Sequence, residues 1–313
     1  MNARPPSSAT CLWTDSRMQT DRPSVSLASG KFDTRGLAPT ATGATVAASM
    51  DDSRGAARPA RAGKVSLVGA GPGDAELLTV RAVRRIAQAD AIVYDHLVGD
   101  GILELASPDA LRIYAGKEAG MHALPQTEIN RLLIELAQQG RKVVRLKGGD
   151  PFIFGRGGEE MQALIEAGID CEVVPGVTAA SGMAACTGIP LTHRDCAQTL
   201  VFTTGHLKDG TVNLDWTTLA RPHQTVVIYM GLGALEIICS KLIAHGLPAD
   251  TPAAVVHAAS TPRQRMVSAP VGKLADAVRT AGLRTPSLIV IGKVVEIARI
   301  LQPLLRGEWS LAT

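Results

Sequence analysis

Aromatic side chains are scarce in this chain, making up 3% of 313 residues. Single-stranded nucleic acid is usually held by stacking its bases on aromatic rings. Nucleic acid is therefore not an expected partner. Cysteine is sparse too. Cys11, Cys171, Cys186, Cys196 and Cys239 are odd in number and form no C-x-x-C pair. That argues against a disulfide framework and a zinc knuckle, and makes a reducing cytoplasm the expected setting. The seven histidines show no metal-ligand spacing, and no metal is expected. No apolar run approaches the ~18 residues that a membrane span needs. Neither sign of charge dominates. A formal net charge of +3 and a pI near 8.6 are only mildly basic, and do not suggest a polyanion-binding protein.

What is present is a hydrophobic content of 46%, enough for a real core, in a length that suits two ordinary domains or one large one. Residues 1–62 stand apart: Ser, Thr, Ala, Arg, Asp and Gly dominate, with no lasting period of 2 or 3.6. They are expected to be a disordered extension. Asp15, Asp21, Asp33, Asp51 and Asp52 are wrong for a transit peptide, and no secretory apolar segment is present. Residues 306–313 read as a loose tail.

From Lys64 onward strands and helices alternate. Val65–Val68, Ala91–Tyr94, Leu111–Tyr114, Val143–Leu146 and Cys171–Val174 read as strands. Apolar residues at helical spacing follow Gly73, and again over Thr127–Gln139. After Ile189-Pro190-Leu191 the style shifts, which predicts a boundary near Ala197. Further strands are expected at Leu200–Thr204, Thr225–Tyr229, Ala253–Val256 and Ser287–Ile291, with a helix over Lys273–Ala281. The expectation is an α/β fold of mostly parallel sheets, in domains over 63–197 and 198–305.

The densest stretch is Val143–Glu160, VVRLKGGDPFIFGRGGEE. A buried strand breaks at Gly148-Gly149-Asp150-Pro151, where the glycines permit positive φ and the proline ends any ladder. Gly155 and Gly157-Gly158 then precede a helix with acids in its first turn, as the helix dipole prefers. In an open α/β sheet, a strand end, bare loop and helix start mark the ligand edge. Asp150 can accept from a ribose hydroxyl or an amino group there, or cap its own turn.

The loop Gly69-Ala70-Gly71-Pro72-Gly73-Asp74 invites a dinucleotide reading, but its spacing is G-x-G-x-G rather than G-x-G-x-x-G. A pyrophosphate needs free N–H donors and a positive helix start. Pro72 removes a donor, and Asp74 places negative charge where phosphates would sit. A ligand without phosphate, or one carrying positive charge, suits the loop better. S-adenosylmethionine, a nucleoside joined to a sulfonium, is such a ligand.

GAGPGD at Gly69–Asp74, Tyr94-Asp95, Gly116-Lys117, GGDPFIFGRGGEE at Gly148–Glu160, PGVTAASG at Pro175–Gly182, GIPLTHRD at Gly188–Asp195 and YMGL at Tyr229–Leu232 occur in that order. Together they resemble the tetrapyrrole methylase family, in its uroporphyrinogen-III C-methyltransferase branch, over about Lys64–Leu301. The resemblance implies a two-domain α/β fold with the cofactor in the cleft between domains, commonly as a homodimer. It implies methyl transfer from S-adenosylmethionine to C2 and C7 of uroporphyrinogen III, giving precorrin-2 through precorrin-1 toward siroheme and cobalamin, with S-adenosylhomocysteine as the other product. By position it assigns cofactor contacts to Pro72, Gly148, Gly149, Asp150, Ile153, Thr178, Ala179 and Met230, and to Ala259 where many relatives have glycine. It assigns proton acceptance to Asp95 and proton donation to Lys117.

Asp95 can instead cap its own turn, and Lys117 can pair with a substrate carboxylate. A substrate fringed with acetates and propionates needs guanidinium partners. Arg156, Arg194, Arg263 and Arg265 lie in motif loops and are the candidates, with His193 beside them. The alternatives are a later precorrin methylase, a family relative acting on ribosomal RNA or protein, and a nucleotide-binding module without catalysis. The short N-terminal region is not expected to hold the dehydrogenase–chelatase domain fused to this module in siroheme synthases.

Overall fold

The computed structural model describes residues 63–116, 124–205 and 212–301. The expected N-terminal extension, the C-terminal tail and Lys117 lie outside these residues. The first sheet contains β1 (Lys64–Gly69), β2 (Ala91–Tyr94), β3 (Leu111–Tyr114), β4 (Lys142–Lys147) and β5 (Asp170–Val174), in the order β3-β2-β4-β1-β5. Every pairing in it is parallel. All five strands therefore end at one edge, and the loops after β1, β4 and β5 come out side by side.

Among the described residues, four helices cover this sheet. α1 (Val80–Ala87) and α2 (Asp100–Leu103) cover one face, where Ile86 and Ile102 pack with Val68, Ile92, Val144 and Leu146. α3 (Gln126–Gln138) and α4 (Gly157–Glu166) cover the other, where Leu132, Leu133, Leu136 and Leu164 pack with Leu67, Val93 and Val143. Thr79 starts α1 by accepting from Ala82 N at 3.2 Å. Side chains alternate along β4, so Arg145 and Lys147 share the face of Val143, beneath α3 and α4. Both are buried there.

α5 (Ala179–Thr187) follows the first sheet in the chain but joins the core of the second. Its Ala180 and Met183 pack with Val227, Tyr229, Val256 and Leu288. The second sheet contains β6 (Thr199–Thr204), β7 (Gln224–Tyr229), β8 (Pro252–His257), β9 (Arg265–Pro270) and β10 (Ser287–Ile291), in the order β6-β7-β10-β8-β9. α6 (Trp216–Leu219), α7 (Leu235–Ala244) and α8 (Val271–Ala281) pack on its far face. α9 (Val294–Leu301) shares the near face with α5.

The α/β expectation describes the molecule, and the first sheet is wholly parallel. In the second sheet, among the described residues, only the β6–β7 pairing is parallel; β10 is antiparallel to β7 and β8, and β8 to β9. A parallel pair needs a long crossover, whereas β8 and β9 are joined by a short loop that allows only an antiparallel return. β9 itself was not expected from the sequence. It is a half-exposed edge strand ending in Pro270, so it shows neither a buried apolar run nor a clean alternation. α9 was missed as well, because its apolar run follows that of β10 after a two-residue break. Among the described residues no helix is long and apolar enough to cross a membrane.

Candidate active site

The loops after β1, β4 and β5 meet backbone to backbone. Gly149 N donates to Gly71 O at 2.6 Å, and Gly71 N donates to Gly149 O at 3.2 Å. A Cβ on Gly69 would lie 2.6 Å from Gly149 O, and one on Gly176 would overlap the same carbonyl. Only bare backbone fits at this junction. Asp150 clamps it: Oδ1 accepts from Phe152 N at 2.8 Å, and Oδ2 accepts from Gly176 N at 3.1 Å. The turn-capping role is thus real, and it is joined by a bridge to the next loop. Each carboxylate oxygen has a second lone pair for a ligand.

The first loop has little to offer a phosphate. Ala70 N donates to Lys147 O at 2.7 Å, Gly71 N is taken by Gly149 O, and Pro72 has no N–H. Asp74 accepts from Glu76 N at 2.9 Å, which leaves a carboxylate beside the loop. The Pro72 ring rests on Gly182 of α5, where a Cβ would overlap it. The small residues of α5 therefore admit a protein ring, besides whatever ligand lies above.

The second sheet supplies the opposite side. Tyr229, the last residue of β7, is buried, and its hydroxyl lies 2.7 Å from Thr178 Oγ1 and accepts from Ala180 N at 3.1 Å. Burial pushes its phenol upward, against the pull of the Thr178 and Ala180 hydrogen bonds. Phe154 stacks against the same ring at a centroid distance of 4.8 Å. Met230 follows in a left-handed conformation, φ 52°, with its side chain 52% exposed. The loop after β8 closes over Gly73, where a Cβ would lie 2.7 Å from Thr261 Cγ2. Gln264 ties this loop to α5: its Oε1 accepts from Ser260 N at 3.0 Å and from Cys186 Sγ at 2.7 Å.

These contacts gather the residues assigned to the cofactor. A Cβ on Gly149 would be 3.6 Å from Ala179 N and 3.9 Å from Thr178 Cα. Ile153, Ala179 and Ala259 pack partly buried on the cluster that contains Tyr229. Ala258 and Ser260 carry positive φ, 45° and 59°, but Ala259 does not, so alanine at that position adds no backbone strain. Bare backbone, a nearby carboxylate, small helix residues and no open phosphate cradle are a chemical match for S-adenosylmethionine.

Asp95 follows β2 at the same edge. Its Oδ1 accepts from Leu97 N at 3.0 Å, and Oδ2 lies 3.5 Å from Arg145 Nη2. Behind it is a buried charge cluster. Glu160 Oε1 accepts from Arg145 Nε at 3.1 Å, Lys147 Nζ at 2.9 Å and Gln126 Nε2 at 3.1 Å. Glu160 is 0% exposed. Desolvation, then the neighbouring Arg145, lower the Lys147 ammonium below its ordinary range, while Glu160 opposes them. By sequence, both acids at the start of α4 are expected to be dipole partners. Glu159 fits that role on the surface, but Glu160 is the buried anion of the cluster. Two charges at alternate positions of an otherwise apolar parallel strand were the available signal.

The substrate candidates have separate local surroundings. Arg156 is half-exposed and paired with Glu159 at 2.7 and 2.9 Å. Arg194 and Arg263 are exposed. Arg265 Nη2 donates to Ala281 O at 2.9 Å, capping the end of α8. His193 Nδ1 accepts from Asp195 N at 3.2 Å, so it serves its own turn. Tyr229, by sequence a strand end and the first residue of the YMGL motif, ties the loop after β5 and the start of α5 to the second sheet.

Tyr229→Phe should therefore destabilise the fold by about 1–3 kcal/mol in chemical denaturation, through two lost hydrogen bonds and a stranded amide. An unchanged midpoint would mean that the hydroxyl does not join the sheets.

The family described as Tetrapyrrole (Corrin/Porphyrin) Methylases matches residues 64–275. A siroheme synthase from Nitrosospira multiformis is 57% identical over 237 residues, 76% of this chain and 50% of that protein. The chain thus spans about half the length of the curated relatives it matches. Among solved structures, uroporphyrin-III C-methyltransferase from Thermus thermophilus complexed with S-adenyl homocysteine is 41% identical. It aligns with a TM-score of 0.65 over 75% of this chain and 100% of that one. A cobalt precorrin-4 methyltransferase is 32% identical, with a TM-score of 0.67 over 74% of this chain and 95% of that one.

Proposed function

Because the chain belongs to the tetrapyrrole methylase family, we propose that it methylates uroporphyrinogen III at C2 and C7 with S-adenosylmethionine. The products are precorrin-1 and then precorrin-2, which feed siroheme or cobalamin synthesis. The observation that carries this reading is the glycine junction of the first sheet. The Gly71 and Gly149 amides are taken by each other's carbonyls and Pro72 has no N–H, which disfavours phosphate, while Asp150 keeps a carboxylate for a polar or cationic ligand. The similar methyltransferase complexed with S-adenyl homocysteine supports this reading.

Gly148, Gly149 and Asp150 on one side, with Thr178, Ala179, Met230 and Ala259 on the other, hold the donor. Pro72 and Ile153 close its apolar sides. Bound there, the donor supplies an electrophilic methyl group on a sulfonium. The protein's main task is alignment of carbon, methyl and sulfur with water excluded, worth about 7–11 kcal/mol in favourable cases. The ring gains positive charge as the new carbon–carbon bond forms, and loss of a proton restores neutrality. Asp95 is the acceptor in this reading, with Lys117 the proton donor or a partner of a substrate carboxylate. Its two domains in this reading are residues 63–197 and 198–305, with α5 of the first packed into the core of the second, and it works as a homodimer in the cytoplasm.

Calorimetry tests the cofactor: S-adenosylmethionine and S-adenosylhomocysteine should bind, while NAD and ATP give no heat. Tight NAD binding would overturn the loop argument. Mass spectrometry after incubation with uroporphyrinogen III should show a product with two added methyl groups. Cofactor binding without any turnover would favour a non-catalytic module instead.

A further inference from the structure

We propose that Arg145 is a positioning residue: from inside the first sheet it fixes the orientation of the Asp95 carboxylate toward the cleft. This rests on the reading of Asp95 as the proton acceptor. A charged residue in the middle of a parallel strand needs a reason, because a buried ion pair is on average no more stabilising than apolar residues of the same volume. Arg145 is 4% exposed and so cannot touch a substrate. Its own freedom is gone: Nε donates to Glu160 Oε1 at 3.1 Å, and Nη1 donates to Leu146 O at 3.1 Å and Val93 O at 3.4 Å. The remaining terminal nitrogen, Nη2, faces Asp95 Oδ2 at 3.5 Å.

Asp95 is thus held from two sides. Leu97 N takes Oδ1 at 3.0 Å and Arg145 takes Oδ2, which prevents the carboxylate from rotating about its last torsion. Its side chain keeps 22% exposure. Glu160 balances Arg145 and Lys147 beneath, so the guanidinium is anchored to α4 and to two strands at once. The planar fork of arginine can serve all these partners together, which a lysine ammonium cannot.

Arg145→Gln leaves the Lys147–Glu160 pair in place and removes the contact to Asp95. Its expected effect is a fall in the single-turnover rate of methylated-product formation by up to about 10²-fold, the size of a small misplacement of a reacting group. KM for uroporphyrinogen III and the affinity for S-adenosylhomocysteine should not change. Arg145→Lys should recover part of the rate, and it carries the test if Arg145→Gln does not fold. The decisive measurement is the pair: in an Asp95→Asn background, Arg145→Gln should add no further loss, because both act through one carboxylate. Independent, multiplying losses would overturn the proposal, as would wild-type turnover in Arg145→Gln or a raised KM at unchanged kcat. Near-normal turnover of Asp95→Asn alone would instead remove the proton-acceptor reading on which it rests.

Discussion

Asp95→Asn is expected to slow methylated-product formation by about 10²–10⁴-fold, the usual cost of losing a general base. Asparagine keeps the shape and the oxygen that accepts from Leu97 N at 3.0 Å, so the turn after β2 survives. It loses only the capacity to take a proton and the attraction of Arg145. Asp95→Ala would mix that loss with a lost cap of about 1 kcal/mol. Affinity for S-adenosylhomocysteine should stay the same, since the proposed donor contacts lie in the loops after β1, β4, β5, β7 and β8. Rapid-quench assays with calorimetry on the same preparation would decide the matter. Turnover near that of the native protein would leave Asp95 a cap and return the proton to water.

Glu160→Ala should have the largest effect on stability. It removes the common acceptor of Arg145, Lys147 and Gln126 at 3.1, 2.9 and 3.1 Å, and leaves two cations facing each other inside the sheet. Breaking a buried pair by deleting one partner typically costs about 3–5 kcal/mol. The loss should depend on pH. Lys147 already titrates below its ordinary value of 10.5, through burial first and then Arg145, and Glu160 is the main opposing influence. Without Glu160 the folded-state value falls further. Between that value and the unfolded one the unfolded chain binds more protons, so stability rises with pH. Urea midpoints should therefore show the deficit greatest near neutrality and shrinking toward alkaline pH. A deficit that does not change with pH would mean Lys147 stays charged by another partner.

Much of the site was legible before any fold was known. Gly148 and Gly149 marked a bare loop at a strand end, and Pro72 with Asp74 argued against phosphate. The structure shows why at the level of single atoms: Gly71 and Gly149 spend their amides on each other. The family resemblance supplied the nine proposed cofactor contacts, which lie in the loops after β1, β4, β5, β7 and β8 and at the start of α5. The basic residues fared differently. Arg265 and His193 are drawn to the end of α8 and to a local turn, because exposed polar groups take the nearest partner the fold presents.

The sequence by itself determined the alternation of strands and helices, the bare-backbone loops at the strand ends, and a first loop poorly suited to phosphate. These follow from periodicity and turn chemistry, which act over a few neighbouring residues. Tertiary structure alone decided that β4 lies between β1 and β2, which brings Gly149 to Gly71 and Arg145 to Asp95. It also decided that α5 joins the second core, that Tyr229 bonds Thr178, and that Glu160 is the anion for two buried cations. Such partners lie far apart in the chain, and which of them meet is settled by how the sheets order and pack, not by any local pattern.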